Sequence, residues 1–143
     1  MRTTPLRPAS RDERGKVLVV DDDLGARTAV HGVLVDDFDV VVADGIANAE
    51  VALSRRDFDV LLTDLEMPNG SGLTLLKRVE TKWPWMIGIL LTGHDDAAEV
   101  RNARDDKRLF RVMRKPYEPE ALIGSVRRAV ALARLRRSAQ HRG

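Results

Sequence analysis

Two textures alternate along the chain from Lys16 onward. Short β-branched or aliphatic runs at Val17–Val20, Val40–Ala43, Val60–Thr63, Met86–Leu91 and Phe110–Met113 predict strands. Polar residues do not alternate regularly within them, which is the pattern of strands covered on both faces. Between these runs apolar residues recur at helical spacing. The first such segment carries Ala26, Val30, Val33 and Leu34 on one stripe, weakened by Gly25 and Gly32 at about 1 kcal/mol each relative to alanine. A second runs from about Ala47 to Arg55, and a third follows Gly72 with Leu73, Leu76 and Val79 on one side. A fourth, from about Asp95 to Arg104, is mostly polar around Ala97, Ala98, Val100 and Ala103. The last opens near Pro119 and aligns Leu122, Val126, Ala129, Val130 and Ala133.

Five strands alternating with five helices predict an α/β fold: a parallel sheet covered on both faces, a three-layer sandwich. Right-handed crossovers leave few topologies, and the flavodoxin-like strand order 2-1-3-4-5 is the one expected. Ligands in such sheets sit beyond the carboxyl ends of the strands, where the winding reverses between strands 1 and 3. The 143 residues suit one domain. Residues 1–15, with two prolines and mixed charges, read as a mobile lead-in, 16–135 as the domain and 136–143 as a basic tail.

The residues that follow the strands carry the chemistry. Strand 1 runs into Asp21-Asp22-Asp23, strand 3 into Asp64-Leu65-Glu66, strand 4 into Thr92-Gly93 and strand 5 into Arg114-Lys115-Pro116. With the expected sheet order, Asp21, Asp22 and Asp64 converge on one crevice, flanked by Thr92 and Lys115. Two like charges about 4 Å apart repel by about 4 kcal/mol at an effective dielectric of 20. Their pKa values rise, or a cation neutralises them. An oxygen-only donor set favours a hard ion, and Mg²⁺ accepts one or two carboxylates while keeping waters and phosphate oxygens. Lys115 offers a point charge to a phosphoryl oxygen, and the Thr92 hydroxyl can donate to another. Asp64 can then act as a nucleophile that forms an aspartyl phosphate.

The strings VLVVDDD, TDLEMPNGSG, ILLTG and KPY, in that order, resemble the receiver domains of response regulators, the CheY-like superfamily of two-component signal transduction. The resemblance covers roughly residues 16–135. It implies that Asp64 is the phosphoacceptor, Asp22 a direct Mg²⁺ ligand and Asp21 its partner, often through water. It implies that the Glu66 backbone carbonyl binds the metal, that Thr92 is the switch hydroxyl and that Lys115 contacts the phosphoryl group. Pro116 is usually joined by a cis peptide in this family, and Met67-Pro68 and Gly72 match the loop into the third helix. Three features depart from the family pattern. Val112 stands where an inward-swinging Tyr or Phe is usual, with Phe110 and Tyr117 nearby but displaced. Glu66 and His94 occupy positions that tune phosphoryl lifetime. The last helix also runs on past the domain. The stretch from Phe110 to Pro116 is similar to a receiver subgroup with an FRFLxKP pattern, often joined to larger regulatory or cyclic-dinucleotide proteins.

Simpler roles stand beside these. Asp21–Asp23 can cap the first helix, Trp83 and Trp85 can pack the entry to strand 4, and the terminal arginines can form a solvated helix face. The net charge of +2 is unevenly spread. Residues 1–15 hold four arginines against two acids, and 123–143 hold six arginines and no acid, so 16–122 carry −6. An acidic body suits cation binding and argues against DNA binding by the folded domain. The chain has no cysteine, which excludes disulfides and thiolate metal sites. Its longest strongly apolar run, Met86–Leu91, is far short of the ~20 residues of a membrane span.

The sequence therefore predicts a cytoplasmic receiver that takes a phosphoryl group from a histidine kinase or histidine phosphotransfer protein onto Asp64 with Mg²⁺. It would signal to a downstream protein or output domain through the face of the fourth helix, fifth strand and fifth helix. Homodimerisation stays open. Two alternatives have different chemistry. A phosphorylation-independent interaction module is kept in play by Val112. A turnover phosphatase of the haloacid-dehalogenase type would use Asp21 and Asp23, but Gly25 stands where that pattern wants Thr or Val. The domain is read as a phosphoacceptor rather than a turnover enzyme.

Overall fold

The computed structural model of the chain describes residues 13–68, 70–93 and 109–142. The elements are β1 (Lys16–Val20), α1 (Leu24–Leu34), β2 (Asp39–Ala43), α2 (Ile46–Arg55), β3 (Val60–Asp64), β4 (Glu66–Met67), β5 (Gly70–Ser71), α3 (Gly72–Lys82), β6 (Ile87–Thr92), β7 (Leu109–Arg114) and α4 (Pro119–Arg142). The helix expected near Asp95–Arg104 and most of the lead-in lie outside the described residues, as does His94.

Five strands form one sheet in the order β2-β1-β3-β6-β7, every neighbouring pair parallel. Among the five long strands this is the order 2-1-3-4-5. Alternate residues of a strand face opposite sides. Val17 and Val19 of β1 therefore join a core with Val60 and Leu62 of β3, Val30 and Leu34 of α1, and Leu122, Val126 and Ala129 of α4. Leu18 and Val20 point the other way, into a core with Leu61, Leu53 of α2, and Leu75 and Val79 of α3. Burying each such Leu or Val side chain stabilises the fold by about 1.5–3 kcal/mol. This double coverage is what the continuous apolar strands require.

The helix ends follow local chemistry. Asp23 caps α1, its Oδ2 accepting from the Ala26 N–H at 2.7 Å, and Ser71 caps α3, its Oγ accepting from the Leu73 N–H at 3.1 Å. The expected stripe of α3, Leu73, Leu76 and Val79, packs on one core, and the buried face is wider than these three. Gly72, Leu75, Leu76 and Val79 are buried, whereas Leu73 is half-buried. The stripe begins at Gly72, and its missing side chain hides the first position of the period. Leu73 packs both on the core of Leu75, Leu76 and Val79 and on a small cluster with Leu65, Leu90 and Val112.

Helix α4 buries Leu122, Val126, Ala129, Val130 and Ala133, as expected. It continues to Arg142, so the division placed between residues 135 and 136 falls inside it. Its later turns pack against the sheet's amino end. Arg134 donates to the Glu13 carbonyl at 2.9 Å and approaches the buried Asp59 carboxylate at 3.7 Å. The Arg137 guanidinium lies 4.5 Å from the centre of the Trp85 ring. Trp85 in turn donates its indole N–H to the Phe58 carbonyl at 3.1 Å.

Candidate functional site

Each expected site residue lies at the carboxyl end of a strand. Asp21 and Asp22 follow β1, Asp64 ends β3, Thr92 ends β6 and Lys115 follows β7. Parallel pairing in register brings these ends to one edge: Val20 lies opposite Thr63, Asp64 opposite Leu91 and Thr92 opposite Arg114. The Lys115 N–H extends that pairing by one bond, donating to the Thr92 carbonyl at 2.8 Å. Pro116 follows through a cis peptide.

Carboxylate oxygens of Asp21, Asp22 and Asp64 all lie within 4.8 Å of one another. Asp21 is buried, Asp22 exposed and Asp64 half-buried. The Lys115 Nζ stands between two of them, 3.1 Å from Asp21 Oδ2 and 3.6 Å from Asp64 Oδ1. Asp21 Oδ1 accepts from the Asp23 N–H at 2.9 Å, and Asp64 Oδ1 accepts from the Leu65 N–H at 2.9 Å. The run Asp21–Asp23 thus divides its work. Asp23 caps the helix, while Asp21 and Asp22 face the crevice.

Burial, followed by the negative charges of Asp21 and Asp22, raises the Asp64 pKa above the usual carboxylate value, although Lys115 and the Leu65 N–H pull it partly back. Burial alone lowers a lysine, yet the hydrogen bond to Asp21 and the charge of Asp64 hold Lys115 above its ordinary value. Burial also raises Tyr117, whose ring packs on the α1/α4 core and feels the charges of Lys115 and Asp21.

The donor set fits Mg²⁺. It is all oxygen, and it carries three negative charges against one ammonium. Oxygens on one octahedral Mg²⁺ stand about 3–4.2 Å apart, so a cluster within 4.8 Å needs only a small closure or one bridging water.

The loop after Asp64 is shaped by close approach. A Cβ at Gly72 would lie 2.1 Å from the Asp64 carbonyl oxygen and 2.9 Å from Thr63 Oγ1. Only glycine allows α3 to start that close to the Asp64 backbone. The Gly72 N–H also donates to the Leu65 carbonyl at 2.8 Å. Glu66 sits on β4 with its side chain exposed, paired across the short hairpin with Ser71. Val112 of β7 is half-buried beside Leu65 and Leu90. Sequence reasoning missed Arg27, whose NH1 donates to the Asp21 carbonyl at 2.9 Å. The signal was its place in the turn that Asp23 caps, on the helix that opens beside the acids. Away from these residues a hollow of about 310 Å³, lined in part by Leu53, Leu75, Val79 and Trp83, separates α2 from α3.

The family model for the response regulator receiver domain matches residues 17–127. The chain belongs to the response regulator receiver domain family. Receivers are the phosphoacceptor signalling domains of two-component systems. This receiver is 30% identical over 130 residues to the hydrogenase transcriptional regulatory protein HoxA of Bradyrhizobium diazoefficiens, covering 91% of the chain and 27% of that protein. It is 31% identical over 120 residues to the DNA-binding transcriptional regulator NtrC of Escherichia coli, covering 83% of the chain and 25% of that protein. The chain therefore spans about a quarter of the length of these curated relatives. A response regulator receiver domain from Clostridium thermocellum superposes with a TM-score of 0.75 at 27% identity, covering 85% of this chain and 98% of that one. Among the described residues no helix is long and apolar enough to cross a membrane.

Proposed function

We propose that Asp64 is the phosphoacceptor of this receiver, served by Mg²⁺ on Asp21, Asp22, Asp64 and the Glu66 backbone carbonyl, with Thr92 and Lys115 contacting the phosphoryl group. The observation that carries this reading is the bridge of Lys115 between Asp21 and Asp64 at 3.1 and 3.6 Å, beside a third carboxylate. When bound, Mg²⁺ supplies positive charge for phosphoryl oxygens and offsets repulsion among the acids. The chain's own groups do the rest. An Asp64 carboxylate oxygen attacks phosphorus of a phosphohistidine, the P–N bond breaks, and the electron pair returns to the imidazole nitrogen, which takes a proton. Lys115 then exchanges its contact with Asp64 for one with a phosphoryl oxygen, and the Thr92 hydroxyl donates to another.

The donor is a sensor histidine kinase or a histidine phosphotransfer protein. The added charge shifts a pre-existing equilibrium and is read by an output domain or separate protein. The expected reading face is that of the helix expected near Asp95–Arg104, β7 and α4. With Val112 in the usual aromatic position, that face responds through something other than an inward-swinging ring. The domain is modified rather than turning over substrate, and it works in the cytoplasm. The test is incubation with a small acyl or amido phosphate and Mg²⁺, read by intact mass. Wild type gains one phosphoryl group, and Asp64→Asn and Asp64→Ala gain none. Labelling of the mutants to the wild-type extent removes the assignment. No labelling of wild type, with no binding of beryllium fluoride, favours the phosphorylation-independent module.

A further inference from the structure

Asp21 is held at four points. Its N–H donates to the Ala43 carbonyl of β2 at 3.1 Å. Its Oδ1 takes the Asp23 N–H, and its Oδ2 takes the Lys115 ammonium. Its carbonyl oxygen accepts from Arg27 NH1 at 2.9 Å. That last bond fills a gap between two ladders. β1 ends at Val20, and α1 opens with the Arg27 N–H donating to the Asp23 carbonyl at 3.0 Å. The Asp21 carbonyl belongs to neither, although Asp21 is 3% exposed. A buried carbonyl needs a donor, and a guanidinium gives a charge-assisted one. The peptide so fixed is the one that joins Asp21 to Asp22, so its orientation sets where the exposed Asp22 carboxylate points.

We infer that Arg27 is a positioning residue for the metal centre, holding the Asp21–Asp22 peptide so that both carboxylates address one cation. The inference rests on the reading of Asp21 and Asp22 as Mg²⁺ ligands. The same side chain places a positive charge near the acids. The two effects oppose each other for a bound cation, because anchoring the ligands tightens Mg²⁺ whereas a neighbouring charge loosens it. Outer partners that orient metal ligands are typically worth about 10–100-fold in affinity, so the anchor prevails.

The test is Mg²⁺ titration by calorimetry on the folded chain, with thermal melts in EDTA to confirm that each variant folds. Arg27→Ala raises the Mg²⁺ dissociation constant about ten-fold. Arg27→Gln, which keeps a donor on a shorter arm and loses the charge, also weakens binding. Arg27→Lys, which keeps both a donor and the charge, recovers most of the affinity. In labelling with a small phosphodonor the Mg²⁺ concentration for half-maximal rate rises in Arg27→Ala, while the rate at saturating Mg²⁺ stays near wild type. Mg²⁺ binding by Arg27→Ala that equals or exceeds wild type overturns the inference, since that is what a bystander cation does. If Arg27→Ala does not fold, Arg27→Gln decides by the same sign. Wild type that takes up no Mg²⁺ refutes the ligand reading itself, a result distinct from equal binding by wild type and variant.

Discussion

Replacing Lys115 by methionine removes the ammonium that stands between Asp21 and Asp64 while keeping most of the apolar stem. At 3.1 and 3.6 Å each contact is worth about 5 kcal/mol at an effective dielectric of about 20. The lysine side chain is 30% exposed, against 5% for Asp21 and 18% for Asp64, so water screens part of this. Breaking a buried pair costs about 3–5 kcal/mol. With screening, and with a proton available to Asp64, a loss of about 2–3 kcal/mol is expected in the metal-free protein. The assay is urea unfolding in EDTA near neutral pH, followed by the fluorescence of Trp83 and Trp85. Repeating it in an Asp64→Asn background makes a double-mutant cycle. There the loss shrinks, because the carboxylate left uncompensated by the mutation has become neutral. Saturating Mg²⁺ also restores much of the stability, since binding to the folded state adds about 2.7 kcal/mol at a hundred times the dissociation constant. An unchanged urea midpoint for Lys115→Met in EDTA, or an equal loss with and without the Asp64 carboxylate, refutes the picture of one shared charge cluster.

Three further outcomes are expected. The Asp64 pKa is raised above 3.8 in the folded chain, so the folded state binds the extra proton, and stability falls as pH rises from that value through the folded pKa. Asp64→Asn therefore stabilises the metal-free protein at neutral pH, and the gain fades as pH is lowered towards 3.8; denaturant melts across pH check this. Gly72→Ala forces a methyl group to 2.1 Å from the Asp64 carbonyl oxygen, costs about 1–3 kcal/mol as an overpacked site and slows labelling by a small phosphodonor, because the Asp64 backbone must move. Arg137→Ala removes the stack on Trp85, worth about 1 kcal/mol, and speeds hydrogen exchange at the carboxyl end of α4; unchanged exchange there means that the terminal turn does not depend on the stack.

The sheet was legible because its strands are covered on both faces. Runs such as Val60–Thr63 show no solvent-facing alternation, and right-handed crossovers then leave few orders to choose among. Asp21, Asp22, Asp64, Thr92 and Lys115 were legible for a related reason: each lies within two residues of the point where an apolar run stops, and parallel strands stop together. Other features had no such signature. The hairpin of β4 and β5 has two residues per strand, too few for any period. The burial of Gly72 at the start of α3 was not marked, because it supplies no side chain. The arginines of α4 read as a solvated tail, since nothing in their own segment reveals that the Trp85 ring and the Asp59 carboxylate lie at the sheet end they reach. Arg27 was passed over because its partner is a backbone carbonyl, and only its place in the turn that Asp23 caps pointed to it.

The acceptor's identity is open to a chemical readout. Borohydride reduces an acyl phosphate on aspartate to the alcohol of homoserine, and peptide sequencing by mass spectrometry then locates it. After exposure to an amidophosphate donor and Mg²⁺, homoserine is expected at position 64, with none when EDTA replaces the metal. Homoserine at position 21 or 22, or an unmodified Asp64 in protein shown to have taken up phosphate, contradicts a nucleophile at the end of β3.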